Sequence, residues 1–261
     1  LGTGEYEWQG FLTQDEHPHA DGHPTGRLLN WNNQSAPGFM HGDGSQYGSV
    51  HRVEAFDQWP DKVGLAGVVG VMNRSATEDI RSTVWASIRA VLNEGETTSV
   101  LASQAAEMLD EWIADDAPLV DTDDDGYYDS PGPLVFDQVF DEVVAAVRAP
   151  VLGQYLSNGG SLRGLDAQGF IDKDLRTVVG QSVAGKFGVS YCGGGDLALC
   201  SESLWNAVDD AVAALAAERG ADISGWLMTT QRSGFTPGLI PETFRSTNRP
   251  TYQQLIEFAP M

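Results

Sequence analysis

Apolar residues recur every three or four positions in four segments in the middle of the chain, which predicts four amphipathic helices. The predicted helices start near Ser75 and Thr98, cover roughly 134–148, and run from Ser201 to a stop at Gly220. Ser75 and Glu78 have the spacing of a capping box, in which each side chain satisfies the other residue's free amide. The first predicted helix therefore begins at Ser75.

Both ends of the chain predict extended structure instead. Residues 5–12 alternate between apolar and polar positions, and "RLLNW" at 27–31 has the character of a second short strand. The segment 249–258, "RPTYQQLIEF", predicts a strand near the other end. Loops rich in Pro, Gly and Asp connect the first two strands.

This order of elements predicts an α+β fold with a mostly helical insertion between strands of one sheet. The strands and loops of 1–72 and 240–261 then form one part, and the helical residues 73–239 form the other. No 20- to 50-residue repeat divides the chain further.

Composition narrows the possible partners. The formal charge is −22 and the isoelectric point is near 4.3. Nucleic-acid binding and attachment to an anionic membrane both depend on Lys and Arg, so neither partner is expected. No run of 18 apolar residues occurs, so no membrane span is expected.

Two cysteines, Cys192 and Cys200, bracket a glycine-rich stretch of seven residues. A loop of this length can close through a disulfide, and such pairing is typical of oxidising compartments. The alternative is a pair of free thiols in a reducing cell. The disulfide favours a secreted or periplasmic protein.

The stretch "DTDDDGYYD" at 121–129 places aspartates at every second position before Gly126. Alternate carboxylates can converge on one cation, and the glycine permits a sharp turn. Gly132 stands where an EF-hand has its glutamate, so this is not an EF-hand. We expect structural Ca²⁺ here; the alternative is a solvated acidic loop. The predicted ligands are Asp121, Asp123, Asp125, Tyr127 through its carbonyl, and Asp129.

Other metal and cofactor sites are less favoured. All five histidines lie within the first 51 residues, but in Pro/Gly loops without zinc-ligand spacing, so we interpret them as loop residues. The glycines at 64–70 and 193–195 lack the lysine or strand–helix context of a phosphate loop. No organic cofactor is expected.

Three asparagines, Asn30, Asn32 and Asn33, surround Trp31 where the second predicted strand ends. A side-chain amide is a neutral donor that can stabilise the oxyanion formed during acyl transfer, which is worth roughly 10²–10³ in rate. The alternative is an Asx-turn that only caps the strand.

The cluster belongs to an ordered set of motifs. "EWQGFL", "GRLLNWNN" and "YGSVHR" are followed by "CSESLWNAVDDAVAAL" and "NRPTYQQLIEF". Over most of residues 5–258 this set resembles the C-terminal portion of the β chain in the penicillin acylase (penicillin amidase) family of N-terminal nucleophile hydrolases. The resemblance implies that the strands contribute to an αββα sandwich.

The resemblance also implies roles for individual residues. Asn32 matches the family's oxyanion-hole asparagine, and Arg52 matches an arginine near the active-site mouth. Asp43 matches a family calcium ligand. The family's nucleophile is the serine at the amino terminus of the β chain, whereas this chain begins with Leu1 and ends at Met261. We therefore expect a catalytically incomplete fragment that works with companion chains of the same precursor.

The leading hypothesis is a penicillin-acylase-type hydrolase of linear amides, in which a companion chain supplies the nucleophile and the acyl pocket. The family's small-molecule substrates include β-lactam antibiotics, acyl-homoserine lactones and lipopeptides, and the sequence does not distinguish among them. One alternative is a calcium-stabilised secreted binding or structural module without catalysis. Another is an acylase-like relative that has lost its nucleophile.

Overall fold

The computed structural model describes residues 62–156, 167–183 and 190–234 without a break. Nearer the two ends it describes residues 3–5, 7, 9–22, 24, 26–36, 38–39, 47, 51–54, 56, 239, 243–247, 254 and 256. The described part is mostly helical, with one short pair of strands.

The helices are α1 (His51–Glu54), α2 (Leu65–Thr77), α3 (Trp85–Leu92), α4 (Val100–Ala114), α5 (Gly132–Leu156), α6 (Ala167–Val178) and α7 (Leu197–Arg219). Short 3-10 turns cover Gln14–Glu16, Ile80–Val84, Cys192–Gly195 and Ile223–Gly225. The strands are β1 (Arg232–Gly234) and β2 (Thr243–Arg245), which pair antiparallel with Ser233 opposite Phe244.

The main hydrophobic core lies where α5 packs against α7, with α3 and α4 also against α7 and α6 against α3. Phe136 of α5 is fully buried, and its ring lies 5.7 Å from that of Trp112 and 6.4 Å from that of Trp85. Each large apolar side chain buried here contributes about 1.5–3 kcal/mol of transfer free energy. This core makes the helical body a stable support for the loops around it.

Three of the four predicted helices are confirmed. Helix α4 begins after Ser99, whose side chain accepts a hydrogen bond from the Ala102 amide. The predicted helix at 134–148 lies inside the longer α5. Helix α7 ends at Gly220, whose φ of 89° only glycine adopts readily.

The predicted start at Ser75 is wrong. Ser75 lies inside α2, where its hydroxyl donates to the Met72 carbonyl, and Glu78 is the C-terminal cap of that helix. The glycine-containing segment before Ser75 is part of the same helix. The apolar face expected there begins instead in the 3-10 turn and continues into α3.

The predicted strand at 27–31 is wrong, because these residues form no strand; the described residues of 5–12, which leave out 6 and 8, form none either. A strand requires backbone hydrogen bonds to a neighbouring strand, and the described part offers these segments no such partner. The predicted strand at 249–258 lies outside the described residues except for 254 and 256. The described residues therefore do not form the layers of an αββα sandwich.

A second, smaller core consists of Trp31, Phe56 and Val71, with Leu29, Val53 and Ile80 packed against it. It joins the asparagine segment to α1, α2 and the first residue of the following 3-10 turn. The predicted division into 1–72 with 240–261 and 73–239 stays a prediction. Among the described residues, no helix has both the length and the apolar character that a membrane span requires.

Candidate functional site

The asparagine cluster forms a tight turn, in which the side chains of Asn30 and Asn33 accept hydrogen bonds from backbone amides of the same turn. The Asn30 Oδ1 atom accepts from the Asn32 amide at 3.1 Å, and the Asn33 Oδ1 atom accepts from the Trp31 amide at 2.9 Å. Asn32 has a φ of 63°, a left-handed conformation that asparagine tolerates better than most residues. The segment is thus a side-chain-stabilised turn and not the end of a strand.

Trp31 anchors this turn to the protein. Its side chain is only 8% exposed and stacks on Phe56, with 5.5 Å between the ring centroids. Asn32, the next residue, is exposed. A buried anchor followed by a left-handed residue places the Asn32 side chain at the surface on a fixed backbone.

The structure describes only part of the other two site residues inferred from the resemblance, Arg52 and Asp43. Arg52 lies in α1, but its side chain is outside the described part of the structure, and Asp43 is outside the described residues altogether. Val53 and Phe56 pack in the same small core as Trp31. The backbone that carries Arg52 is therefore a neighbour of the asparagine turn.

The acidic loop brings together three of its predicted ligands. One carboxylate oxygen from each of Asp121, Asp123 and Asp129 lies within 4.8 Å of the others. Asp121 is buried, at 1% exposure, whereas the other two are exposed. Such a set of hard oxygen donors suits Ca²⁺, which takes six to eight oxygen ligands including water.

The Asp125 carboxylate is outside that group, and the role of Tyr127 as a ligand through its carbonyl stays a prediction. The Asp125 amide donates to Asp121 Oδ1 at 3.1 Å, and the Asp125 carboxylate accepts from the Tyr127 amide at 2.8 Å. Asp129 accepts from the backbone amide and the hydroxyl of Thr122. These bonds shape the loop and hold its carboxylates near one another.

The loop is connected to later parts of the chain. The Tyr128 amide donates to the Met228 carbonyl, and the Thr230 amide donates to the Gly126 carbonyl, both at 2.9 Å. The Nη2 atom of Arg245 in β2 lies 3.0 Å from Asp124 Oδ1 and 3.6 Å from Asp121 Oδ2. No sequence signal links Arg245 to the loop, because the contact depends on tertiary structure.

The predicted disulfide between Cys192 and Cys200 is confirmed, with Cα atoms 5.0 Å apart. Asp174 lies beneath this loop, where its buried carboxylate accepts from the Tyr191 and Cys192 amides at 2.6 and 2.8 Å. Burial raises the pKa of Asp174, and the two backbone hydrogen bonds oppose that shift. The loop is thus held by one covalent bond and one buried carboxylate.

Sequence reasoning missed a groove of about 470 Å³ beside α3 and α4. Trp85, Asp110 and Asp116 line it together with Glu78, which is only 8% exposed. Burial, and then the charge of Asp116, raise the pKa of Glu78 to about 7, against the opposing effect of Arg74. Because the sequence analysis interpreted Glu78 as part of a capping box, it did not predict that this side chain is buried beside Asp116.

The histidines do not form a zinc site where they are described. His17 and His19 are exposed, and His51 is buried with its Nδ1 atom 2.8 Å from Glu54 Oε2. His23 and His41 lie outside the described residues. In the part of the chain that the structure describes, the three aspartates of the acidic loop are the group spaced to hold a metal ion.

Comparison with known proteins shows similarity to one enzyme family and to solved structures. The family model for penicillin amidase matches residues 2–252. A solved structure of a thermostable penicillin G acylase from Alcaligenes faecalis is similar, with a TM-score of 0.66 and 20% sequence identity. The match covers 95% of this chain and 48% of the solved chain, so this chain spans about half the length of that acylase chain. At this identity the structural likeness concerns the fold alone.

Proposed function

The chain belongs to the penicillin amidase family, and from this membership we infer that it forms part of an enzyme that hydrolyses linear amides. The family match extends over nearly the whole chain and confirms the resemblance seen in the ordered motifs. Membership supports hydrolase activity in general. The amide substrate and the roles of individual residues are our proposal.

The asparagine turn carries this proposal. Asn32 is exposed on a backbone held by the side chains of Asn30 and Asn33 and anchored by the buried Trp31. A donor fixed in this way loses little energy to reorganisation when negative charge develops on a substrate oxygen. We assign Asn32 to the oxyanion hole, where its amide donates to the tetrahedral intermediate.

The nucleophile in this proposal is an N-terminal serine on a companion chain. Its hydroxyl attacks the amide carbonyl while its own α-amino group accepts the proton, and the amine product leaves the acyl-enzyme. Water then releases the acid. Arg52, on α1 beside the asparagine turn, is proposed to orient Asn32 or polar groups of the substrate.

Two observations support a companion chain. This chain spans about half the length of the similar acylase chain. It also exposes large apolar side chains, including Phe11 at 93%, Leu28 at 71% and Leu65 at the start of α2 at 45%. In this proposal the companion polypeptide packs against these side chains, which the described residues leave exposed.

Structural Ca²⁺ is proposed at Asp121, Asp123 and Asp129. The support is the clustering of the three carboxylates together with the burial of Asp121, whose Oδ2 atom accepts no hydrogen bond from the described residues. Asp43 is proposed as a ligand of a separate calcium site implied by the family. The disulfide supports a secreted or periplasmic location.

The test of the hydrolase proposal is to purify the protein from its native source, and to measure the intact mass and N-terminal residue of every polypeptide in the preparation. We expect a second chain that begins with serine and is labelled by a serine-directed acylating inhibitor. We also expect the preparation to hydrolyse some members of a series of chromogenic anilides with aromatic, short and long acyl groups. A single unlabelled chain without activity would instead favour the calcium-stabilised binding module.

A further inference from the structure

We propose that Arg245 is an internal competitor of the divalent cation at the acidic loop, so that ion binding and the attachment of β2 to this loop oppose each other. The inference rests on the proposed calcium site and concerns its regulation. It makes the loop a cation-sensitive contact between the helical body and the strand pair.

Arg245 contacts two aspartates of the acidic loop. The Arg245 guanidinium lies 3.0 Å from the Asp124 carboxylate and 3.6 Å from Asp121 Oδ2. Asp121 is one of the three residues whose oxygens cluster within 4.8 Å. A cation held by that cluster and the Arg245 guanidinium therefore share the Asp121 carboxylate.

Asp121 is buried with one carboxylate oxygen that lacks a hydrogen-bond donor in the part of the chain that the structure describes. Its side chain is fully buried, its Oδ1 atom accepts from the Asp125 amide, and its Oδ2 atom accepts no hydrogen bond from any described residue. A buried carboxylate oxygen without a donor needs a positive charge close by. Without an ion Arg245 is the nearby cation, and with an ion the metal takes that role.

The charges around Arg245 agree with this role. A guanidinium group stays charged at all accessible pH values, and that of Arg245 lies against the carboxylates of Asp121 and Asp124. A divalent ion next to Asp121 would stand close to this permanent positive charge. Their repulsion lowers the affinity of the site for Ca²⁺.

Ion binding at the acidic loop also affects the pair of strands β1 and β2. Arg232 of β1 lies directly opposite Arg245 of β2, and like charges at such positions destabilise a strand pair. Asp124 lies near both guanidinium groups, 3.0 Å from Arg245 and 3.9 Å from Arg232. Because coupling between two binding events is reciprocal, an ion that repels Arg245 weakens the tie between β2 and Asp121 by the same factor.

The experiment is calcium titration calorimetry on the full protein with any companion chain, comparing wild type with Arg245→Gln. We expect Ca²⁺ to bind the variant about tenfold more tightly, because one positive charge beside the site is removed. Arg232→Gln is the matched control: it removes the same charge from the opposite strand, where the structure shows no contact with Asp121. Its effect on affinity is expected to stay within about threefold.

Hydrogen exchange gives a second readout. Ca²⁺ is expected to speed exchange at the amides of residues 243–247 in wild type and to leave these amides unchanged in Arg245→Gln. If Arg245→Gln does not fold, Arg245→Met keeps the aliphatic stem and carries the same expectation. Equal or weaker Ca²⁺ binding by the folded variant would overturn this inference while leaving the calcium site intact. Failure of wild type to bind Ca²⁺ at millimolar concentration would overturn both.

Discussion

The indole ring of Trp31 stacks on the phenyl ring of Phe56, with 27° between their planes. The stack holds the residue immediately before Asn32 in a small core shared with Val71 of α2. An exposed amide thus follows directly after a buried anchor. The proposed oxyanion-hole role of Asn32 depends on this relationship.

Replacing Asn32 is the direct test of its role. Asn32→Gly accepts the left-handed backbone at φ 63° without strain, whereas Asn32→Ala would add roughly 1–2 kcal/mol of backbone strain to the result. Asn32→Asp keeps the size and replaces the donor by a carboxylate. For both Gly and Asp variants we expect kcat of the assembled enzyme to fall by about 10²–10³.

The control for these variants is Asn206→Asp, an equivalent change at an exposed position of α7. Its kcat and its midpoint of thermal unfolding are expected to match wild type. The Asn32 variants should unfold at nearly the wild-type temperature. Wild-type turnover in both of them would remove Asn32 from the mechanism.

Trp31→Ala is expected to release the turn from its anchor. Loss of a buried Trp side chain costs about 3–5 kcal/mol, and here the cost falls on the small core that includes Val71. Hydrogen exchange should therefore speed up in α2 while α5 and α7 stay protected, and kcat should fall. Trp31→Phe retains an aromatic ring against Phe56, so its losses of hydrogen-exchange protection in α2 and of kcat should be much smaller. Uniform loss of protection across all helices would contradict a separate small core.

Glu78 makes stability depend on pH in a defined window. Its pKa is about 7 in the folded chain, against 4.5 for an ordinary glutamate, so between these pH values the folded state keeps a proton that the unfolded state has lost. The free energy of unfolding therefore decreases as pH rises from 4.5 to 7, by at most about 3 kcal/mol. Glu78→Gln should raise the free energy of unfolding at pH 8 by about 1–3 kcal/mol and change it little at pH 4.

Chemical denaturation at pH 4 and pH 8 measures this effect. Glu107→Gln serves as the control, because Glu107 is an exposed glutamate of α4. Its effect should be small and the same at both pH values. If Glu78→Gln behaved like this control, Glu78 would not be the source of the pH dependence.

The disulfide is expected to contribute a moderate part of the stability. Cys192 and Cys200 are separated by 8 positions. Closing a loop of that size reduces the entropy of the unfolded chain, which raises the free energy of unfolding by about 2.5 kcal/mol. The double variant Cys192→Ala/Cys200→Ala should lose that amount in denaturant titrations. A reductant should destabilise wild type equally and leave the double variant unaffected. No response of wild type to complete reduction would show that the loop gains nothing from the bond.

Sequence reasoning was accurate where neighbouring residues decide the structure. Ser99 begins α4 by accepting a hydrogen bond from the Ala102 amide, and Gly220 ends α7 with a positive φ that glycine adopts readily, so both roles are visible in a few consecutive residues. Reasoning from the sequence failed at α2, where it predicted the start of a helix at residues that form the end of one. Ser75 and Glu78 have capping-box spacing, yet packing of Val71 in the small core favours a helix that ends at Thr77.

The sequence by itself determined the family, the helices α4, α5 and α7, and the disulfide, because these follow from ordered motifs and local spacing. Only the tertiary structure decided that Trp31 stacks on Phe56 and anchors the asparagine turn, that Glu78 is buried beside Asp116, and that Arg245 reaches Asp121. The physical reason is the range of the interactions. Helix periodicity and caps act over about four residues, whereas burial, ion pairs and strand pairing depend on residues that only the folded chain brings together.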